Sequence, residues 1–241
     1  MKVSLIIPTY NEKENLSNIL EKVFKVFKQA GIDGEVIVVD DNSPDGTGEL
    51  ADKLSHHLPV QVIHREGKLG LGSAVIEGFE VAKGEILGVM DADGSHDPSI
   101  IPRMIKAIEE EKQELVVGSR YIKGGRISNW PLKRRIISKV AIMMAAPLTR
   151  IKDRTSGFLF FKKAVVEGVP LNKVGFKIGL EIMVKGNYKR FKEIGYTFVD
   201  RKAGKSKFSI QEVFKYLKQL IQLGIYLLLK KKKRVSKNLK L

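Results

Sequence analysis

The chain of 241 residues contains no cysteine, which excludes disulfides and thiolate metal sites and fits a cytosolic protein. Near its end, Gln219–Leu229 carries no charge, yet that run is well short of the roughly 20 apolar residues a spanning helix needs. The opening Met1–Pro8 is too short, and too soon interrupted by proline, to be a signal peptide, and it reads as a first strand. Internal repeats and low-complexity linkers are absent. Acidic residues are almost missing from one region. From Arg201 to Leu241 there are 13 Lys or Arg and a single acid, Glu212, a net +12 out of +16 for the whole chain. The basicity therefore belongs to the tail, whereas a nucleic-acid-binding protein would spread it in a stripe with interleaved aromatics.

What is present suits one α/β domain with a full core, or such a domain with a small appendage: 43% hydrophobic and 29% charged residues. Residues 1–125 alternate strand and helix patterns. Strands are predicted at Val3–Ile7, Glu35–Val39, Val60–His64, Ile86–Met90 and Leu115–Val117, and helices at Glu14–Ala30, Gly46–Leu54, Ser73–Ala82 and Ile100–Glu110. Near-continuous Val and Ile strands separated by helices indicate a mainly parallel sheet covered on both faces. After Tyr121 the rhythm breaks. Lys123–Arg126 reads as a loop, Trp130-Pro131 opens a helix through Met144, Thr155–Lys162 and Arg190–Val199 read as strands, and Phe176–Lys185 as a helix.

The most informative feature is Asp91-Ala92-Asp93, directly after an apolar run. A buried strand ending in two carboxylates delivers both to the carboxyl edge of a sheet, where open α/β folds bind ligands. Hard oxygen ligands on a rigid strand end suit Mg²⁺ or Mn²⁺, with positions left for substrate phosphates. The plainer alternative is that Asp93 or Ser95 caps the helix beginning near Pro98. Pro8-Thr9-Tyr10-Asn11-Glu12 follows the first strand, where Asn11 would cap a helix. Asp40-Asp41 end the second strand, where acids can accept from a base N–H and a ribose hydroxyl, and Asp45-Gly46 suits an Asx turn. Gly67–Gly72 places glycines ahead of a helix, as for a phosphate, though it follows the third strand and not the first.

In this order, PTYNE, VVDDNSPDGT, GKLGLGSAVIEGF, DADGSHDP and VVGSRYIKGG resemble family 2 glycosyltransferases, and among them the dolichol-phosphate mannose synthases and related polyprenyl-phosphate glycosyltransferases. The resemblance runs from Val3 to about Lys207 and includes Asp200-Arg201 and Gly204–Lys207. It implies a GT-A fold, a nucleotide-sugar donor and a catalytic domain over 1–207, and the pattern of the remaining residues suggests an amphipathic, basic membrane-interface segment over 208–241. Pro8, Tyr10 and Glu12 match the nucleotide-binding motif and Asp41 the base-reading acid, while Asp91 and Asp93 match the metal ligands. Ser95 stands at the third ligand position, where the mannose synthases often carry Gln, and Gly94 replaces a usual Leu. The QxxRW signature of processive synthases is absent, which implies a single sugar transfer.

A lipid phosphate acceptor is already anionic and needs no general base, but it must be held against charge repulsion, a task for the planar fork of arginine. Arg120 ends the strand expected next to the Asp-x-Asp strand. Trp130, Arg134 and Ser138 recur at i, i+4 and i+8, and Arg201 and Lys207 end the domain. Arg120, Arg134, Ser138 and Arg201 match the family's phosphate contacts. Asp153 and Glu181 also fall at family-like positions, but either suits a structural ion pair.

The final segment has a capping-box spacing, Ser209 to Glu212, with Gln211, Lys215, Lys218 and Gln222 on one helical face and Lys230–Arg234 as five consecutive cations. The expectation is peripheral attachment to the cytoplasmic face of a membrane. The competing reading is that this helix packs on its own domain. Relatives often continue into transmembrane helices, so the resemblance leaves room for a small membrane-embedded partner subunit. The function implied is transfer of one hexose, with inversion, from GDP-mannose to dolichyl or polyprenyl phosphate. UDP-glucose is the alternative donor, and a non-catalytic subunit of the same fold is disfavoured by the intact acids.

Overall fold

A computed structural model describes residues 1–173, 177–200 and 210–238. Seven strands form the main sheet: β1 (Val3–Thr9), β2 (Gly34–Asp40), β3 (Val60–His64), β4 (Ile86–Val89), β5 (Leu115–Ser119), β7 (Leu159–Lys162) and β8 (Phe191–Gly195), in the order β3-β2-β1-β4-β7-β5-β8. All run parallel except β7, which is antiparallel to both neighbours. The carboxyl ends of β1–β5 and β8 therefore share one edge, and the chain entering β7 arrives at that same edge.

Alternation along each strand builds two cores. Val3, Leu5 and Ile7 of β1 with Val36 and Val38 of β2 face the helices α1 (Lys13–Ala30), α2 (Thr47–Ser55) and α4 (Ile101–Glu109). The intervening Ile6, Ile37 and Val39 face α3 (Leu71–Val81) and α6 (Ile178–Lys185). Phe160 of β7 is fully buried, and the ring fits because its neighbour is Gly88, where an added Cβ would lie 2.4 Å from the Phe160 ring. Truncating such a ring to alanine costs about 3–5 kcal/mol. Pro8 is tolerated in a central strand because the ladder between β1 and β4 ends at Ile6–Val89, two residues before its missing N–H.

The first half follows the predicted rhythm to within a few residues. The second half departs from it in four ways. Arg120 does not end a strand adjacent to the Asp-x-Asp strand, because β7 is inserted between β4 and β5. The strand expected over Thr155–Lys162 is only Leu159–Lys162, since Asp153–Gly157 turns at the site edge. The strand expected over Arg190–Val199 is two, split at Tyr196, with β9 (Thr197–Val199) leaving the main sheet to pair with β6 (Arg126–Ser128). Arg126 thus belongs to a short strand and not to the loop assigned to it. The helix expected from Trp130 is α5 (Leu132–Met144), with Pro131 in extended conformation before it.

The last helix, α7 (Ile210–Asn238), buries Tyr216 and Leu223 against Ala145, Leu180 and Val184. Its outward residues include Phe214, Ile221, Ile225 and Leu228, so apolar side chains occur on both its inner and outer sides. No helix among the described residues is long and apolar enough to cross a membrane.

Candidate active site

The shared sheet edge collects the chemistry. At the end of β4, Asp91 keeps 40% of its side-chain surface exposed. Its backbone N–H donates to Nδ1 of the buried His96 at 3.1 Å, which leaves the proton on Nε2, 3.8 Å from Asp91 Oδ2. His96 stacks on Phe158 at 5.0 Å between ring centroids, and burial lowers its pKa, so it is a neutral prop for the Asp91 turn. Asp93 Oδ1 accepts the Ser95 N–H at 3.0 Å. The helix that follows is capped by Asp97, which accepts from the Ser99 N–H at 2.9 Å, so neither Asp93 nor Ser95 has the capping role. Ser95 Oγ is buried and has no hydrogen-bond partner among the described residues.

Two carboxylates and an unsatisfied hydroxyl, all hard oxygen donors, fit a divalent cation whose remaining positions a diphosphate would fill. Among the described residues there is no cluster of three or more His, Asp or Glu that would hold a metal unaided.

Beside this pair, β1 leads into Tyr10 and Glu12. Asn11 takes a left-handed φ of 58°, a conformation asparagine tolerates, and Glu12 rather than Asn11 occupies the cap position of α1. Glu12 Oε2 accepts from Asn15 Nδ2 at 2.8 Å. The Lys68 ammonium lies 4.0 Å from the Tyr10 ring centroid, closing the glycine loop over that ring. Asp45 makes the expected Asx turn, accepting the Thr47 N–H at 3.0 Å beside Gly46 at φ 86°.

Asp41 is not a lone carboxylate. Arg65, one residue past β3, donates to its Oδ1, and the Gly70 N–H donates to its Oδ2 at 2.8 Å. The glycine-loop amide that looked suited to a phosphate is thus used by Asp41. Arg65 also reaches Glu77 at 2.9 Å and Ser73 at 2.7 Å, and it is 7% exposed.

Across the edge stand the arginines. Arg120 is buried and donates through Nε and Nη2 to both oxygens of Asp153, at 2.8 and 2.7 Å, and through Nη2 to Thr155 at 2.7 Å. Burial acts to lower its pKa, but Asp153 outweighs that and holds it fully protonated. Its fork is therefore largely spent inside the protein. Arg134 pairs with Asp200 at 2.6 Å and lies 4.2 Å from the Trp130 ring centroid. Arg134 and Ser138 both lie on α5, and Ser138 Oγ meets the Tyr121 hydroxyl at 2.9 Å. Trp130 is 8% exposed, packs edge-on against Phe198 at 5.2 Å, and its indole N–H has no partner among the described residues. Arg201 and Lys207 lie outside the described residues.

Sequence reasoning missed Arg65 and Lys177. Lys177 precedes α6, and its ammonium lies within the electrostatic reach of Asp91, Arg120, Asp153 and Glu212. Burial lowers its pKa against the pull of those carboxylates. Only the place of Arg65 just past a strand end was a signal, and Lys177 offered none. Glu181 is the ion-pair partner it resembled, with Lys185 at 2.6 Å.

The chain is 48% identical over 92% of its length to a dolichol-phosphate mannosyltransferase of Pyrococcus furiosus, of which it spans 64%. It is 37% identical to the Saccharomyces cerevisiae dolichol-phosphate mannosyltransferase, over 94% of this chain and 88% of that one. A polyprenol monophosphomannose synthase of Mycolicibacterium smegmatis is 38% identical over 92% and 86%. Among solved structures, a Pyrobaculum calidifontis mannosyltransferase in complex with GDP-Man and Mn²⁺ superposes with a TM-score of 0.64 at 18% identity, covering 91% of this chain and 64% of that one. At that identity the likeness speaks for the GT-A fold alone. The family model for glycosyl transferase family 2 matches residues 4–169, and the chain belongs to that family.

Proposed function

We propose that the chain transfers one hexose, mannose from GDP-mannose, to the phosphate of a dolichyl or other polyprenyl lipid at the cytoplasmic face of a membrane. The observation that carries this reading is the division of one sheet edge into a partly exposed carboxylate pair and, facing it, the arginines just past β5 and on α5. The names of the relatives support the donor and acceptor chosen.

Asp91, Asp93 and Ser95 would hold Mg²⁺ or Mn²⁺, which supplies neutralisation of the charge developing on the departing diphosphate. Pro8, Tyr10 and Glu12 would bind the nucleoside, and the base would meet Asp41 as one half of its pair with Arg65. Lys177 would bear on the diphosphate side, where its positive charge opposes that of the phosphates. Arg134 and Ser138 would orient the acceptor phosphate. An acceptor phosphate oxygen attacks the anomeric carbon as the bond from that carbon to the diphosphate breaks, and GDP leaves with the electron pair. No proton moves, so no general base is required, which agrees with an acceptor side made of cations. Attack from the cation side, opposite the leaving group, inverts the anomeric centre. Arg120 enters as the residue that fixes Asp153 and Thr155, and with them the turn before β7.

Attachment to a membrane surface is supported by exposed apolar side chains on two helices, α5 and α7. Leu132, Ile136, Val140 and Met143 recur along α5, and Phe214, Ile221, Ile225 and Leu228 along α7, with Lys230 and Lys231 beginning the basic run. A membrane-embedded partner would add to this attachment.

The test offers radiolabelled GDP-mannose or UDP-glucose with polyprenyl phosphate and Mn²⁺, then extracts into organic solvent. Label from GDP-mannose in the organic phase is expected. Label from UDP-glucose alone would reassign the donor, and label in neither would remove the reading.

A further inference from the structure

Among the described side chains of α7, three are buried against α5 and α6, and two of them are packing. Leu223 is fully buried, and Tyr216 is buried with its hydroxyl donating to the Ala141 carbonyl at 2.7 Å. The third is Gln219, 2% exposed, and an amide so placed destabilises the fold unless each polar atom is matched. Its Oε1 accepts the Lys177 N–H at 3.0 Å. Its Nε2 donates to the Lys177 carbonyl at 3.0 Å and to Glu181 Oε1 at 3.3 Å. A carboxamide that pairs with both backbone groups of one residue fixes that residue as a neighbouring strand would. Glu181 is itself held by Lys185 at 2.6 Å, so the glutamine has a rigid seat.

The residue so clamped is the one whose ammonium lies in the field of Asp91 and Arg120. Lys177 is the residue before α6, at φ −124° and ψ 87°; its carbonyl also accepts the Glu181 N–H of the first helical turn at 3.2 Å, whereas its N–H lies outside the helical ladder and is held by Gln219. A lysine on a flexible stem delivers its charge to a fixed point only when its Cα is fixed, and a displacement of about 1 Å near reacting groups can cost on the order of 100-fold in rate. We infer that Gln219 is a positioning residue for Lys177, and that through it the last helix sets the cation of the donor site. This rests on the transferase reading above. It also gives α7 a part in turnover that is separate from attachment, since the clamp lies on its inner side and Ile221, Ile225 and Leu228 on its outer.

The test is a double-mutant cycle in the full chain: Gln219→Leu, Lys177→Ala and both together, read as kcat/KM for GDP-mannose and as GDP affinity with Mn²⁺ by calorimetry. Gln219→Leu should lower kcat/KM by about 10-fold and weaken GDP binding, yet add less than about 2-fold to Lys177→Ala. Equal losses in both backgrounds, or none from Gln219→Leu, would overturn the inference. Should the leucine variant not fold, Gln219→Met keeps the side-chain volume and enters the same cycle. If the wild type transfers no mannose the transferase reading fails, while the calorimetric arm still decides whether Gln219 acts through Lys177.

Discussion

The two sides of the sheet edge are built differently. On the carboxylate side, Asp45 and Asp93 accept backbone N–H groups two residues away, and Asp91, Tyr10 and Glu12 follow directly from strand ends; Asp41, held by Arg65 24 residues on, is the exception. On the cation side, each arginine is held by an acid distant in sequence: Arg120 by Asp153, 33 residues on, and Arg134 by Asp200, 66 residues on. The difference teaches that a site made by local turns survives the loss of distant contacts, whereas a site made by long-range ion pairs does not. It also implies that donor binding and acceptor binding fail separately.

The largest expected effect strikes the second kind of construction. Asp153→Ala leaves Arg120 buried and unpaired, and breaking a buried pair in this way costs about 3–5 kcal/mol. Chemical denaturation should show that loss, and a cost below about 1 kcal/mol would mean the pair is not what holds the cation side. Next is Asp93→Asn, which should remove activity by on the order of 100-fold or more while folding stays intact. Metal-dependent nucleotide binding should fall with it, and wild-type turnover with Mg²⁺ or Mn²⁺ would show that the carboxylate side is not a metal site.

The contrast also accounts for what could be read from sequence. Parallel strands rich in Val and Ile, with Tyr10, Asp40-Asp41 and Asp91 at the ends of β1, β2 and β4, announce both the sheet and its ligand edge, so the donor residues were legible. The cation side was legible only in its residue types. Arg120 and Arg134 were recognised and Asp153 was read as suiting an ion pair, but which acid meets which arginine was not legible, because ion pairing across 33 or 66 residues leaves no spacing signal. β6 and β9 are three residues each, too short to carry a period of two, and β7 inserts out of sequence order. Lys177 was invisible because the residue that orients it, Gln219, is 42 positions away.

A smaller effect sharpens the cation side itself. Trp130→Leu removes the ring beneath the Arg134 guanidinium, a contact worth about 0.5–2 kcal/mol, and should raise the KM for lipid phosphate by up to ~10-fold. Trp130→Phe should recover most of it. Failure of phenylalanine to recover would mean that the indole N–H matters more than the ring face.

The smallest effect on folding is expected from deleting Gly224–Leu241. Tyr216, Gln219 and Leu223 remain, and the contacts with α5 and α6 that go are those of Leu227 and of the Tyr226 ring beside Lys185. The shortened protein should stay folded and bind nucleotide, but no longer sediment with anionic vesicles, since attraction of about 1 kcal/mol per cation goes with the basic run. Binding in the intact chain should weaken at high salt. A truncated chain that unfolds would show that the helix completes the core beyond Leu223.

The most direct test of a divided edge is two-substrate kinetics of Arg134→Ala. The account predicts a KM for polyprenyl phosphate raised ~10-fold or more, from loss of a charged phosphate contact, with the KM for GDP-mannose within about 2-fold of wild type. Equal increases for both substrates, or no increase for either, would contradict it.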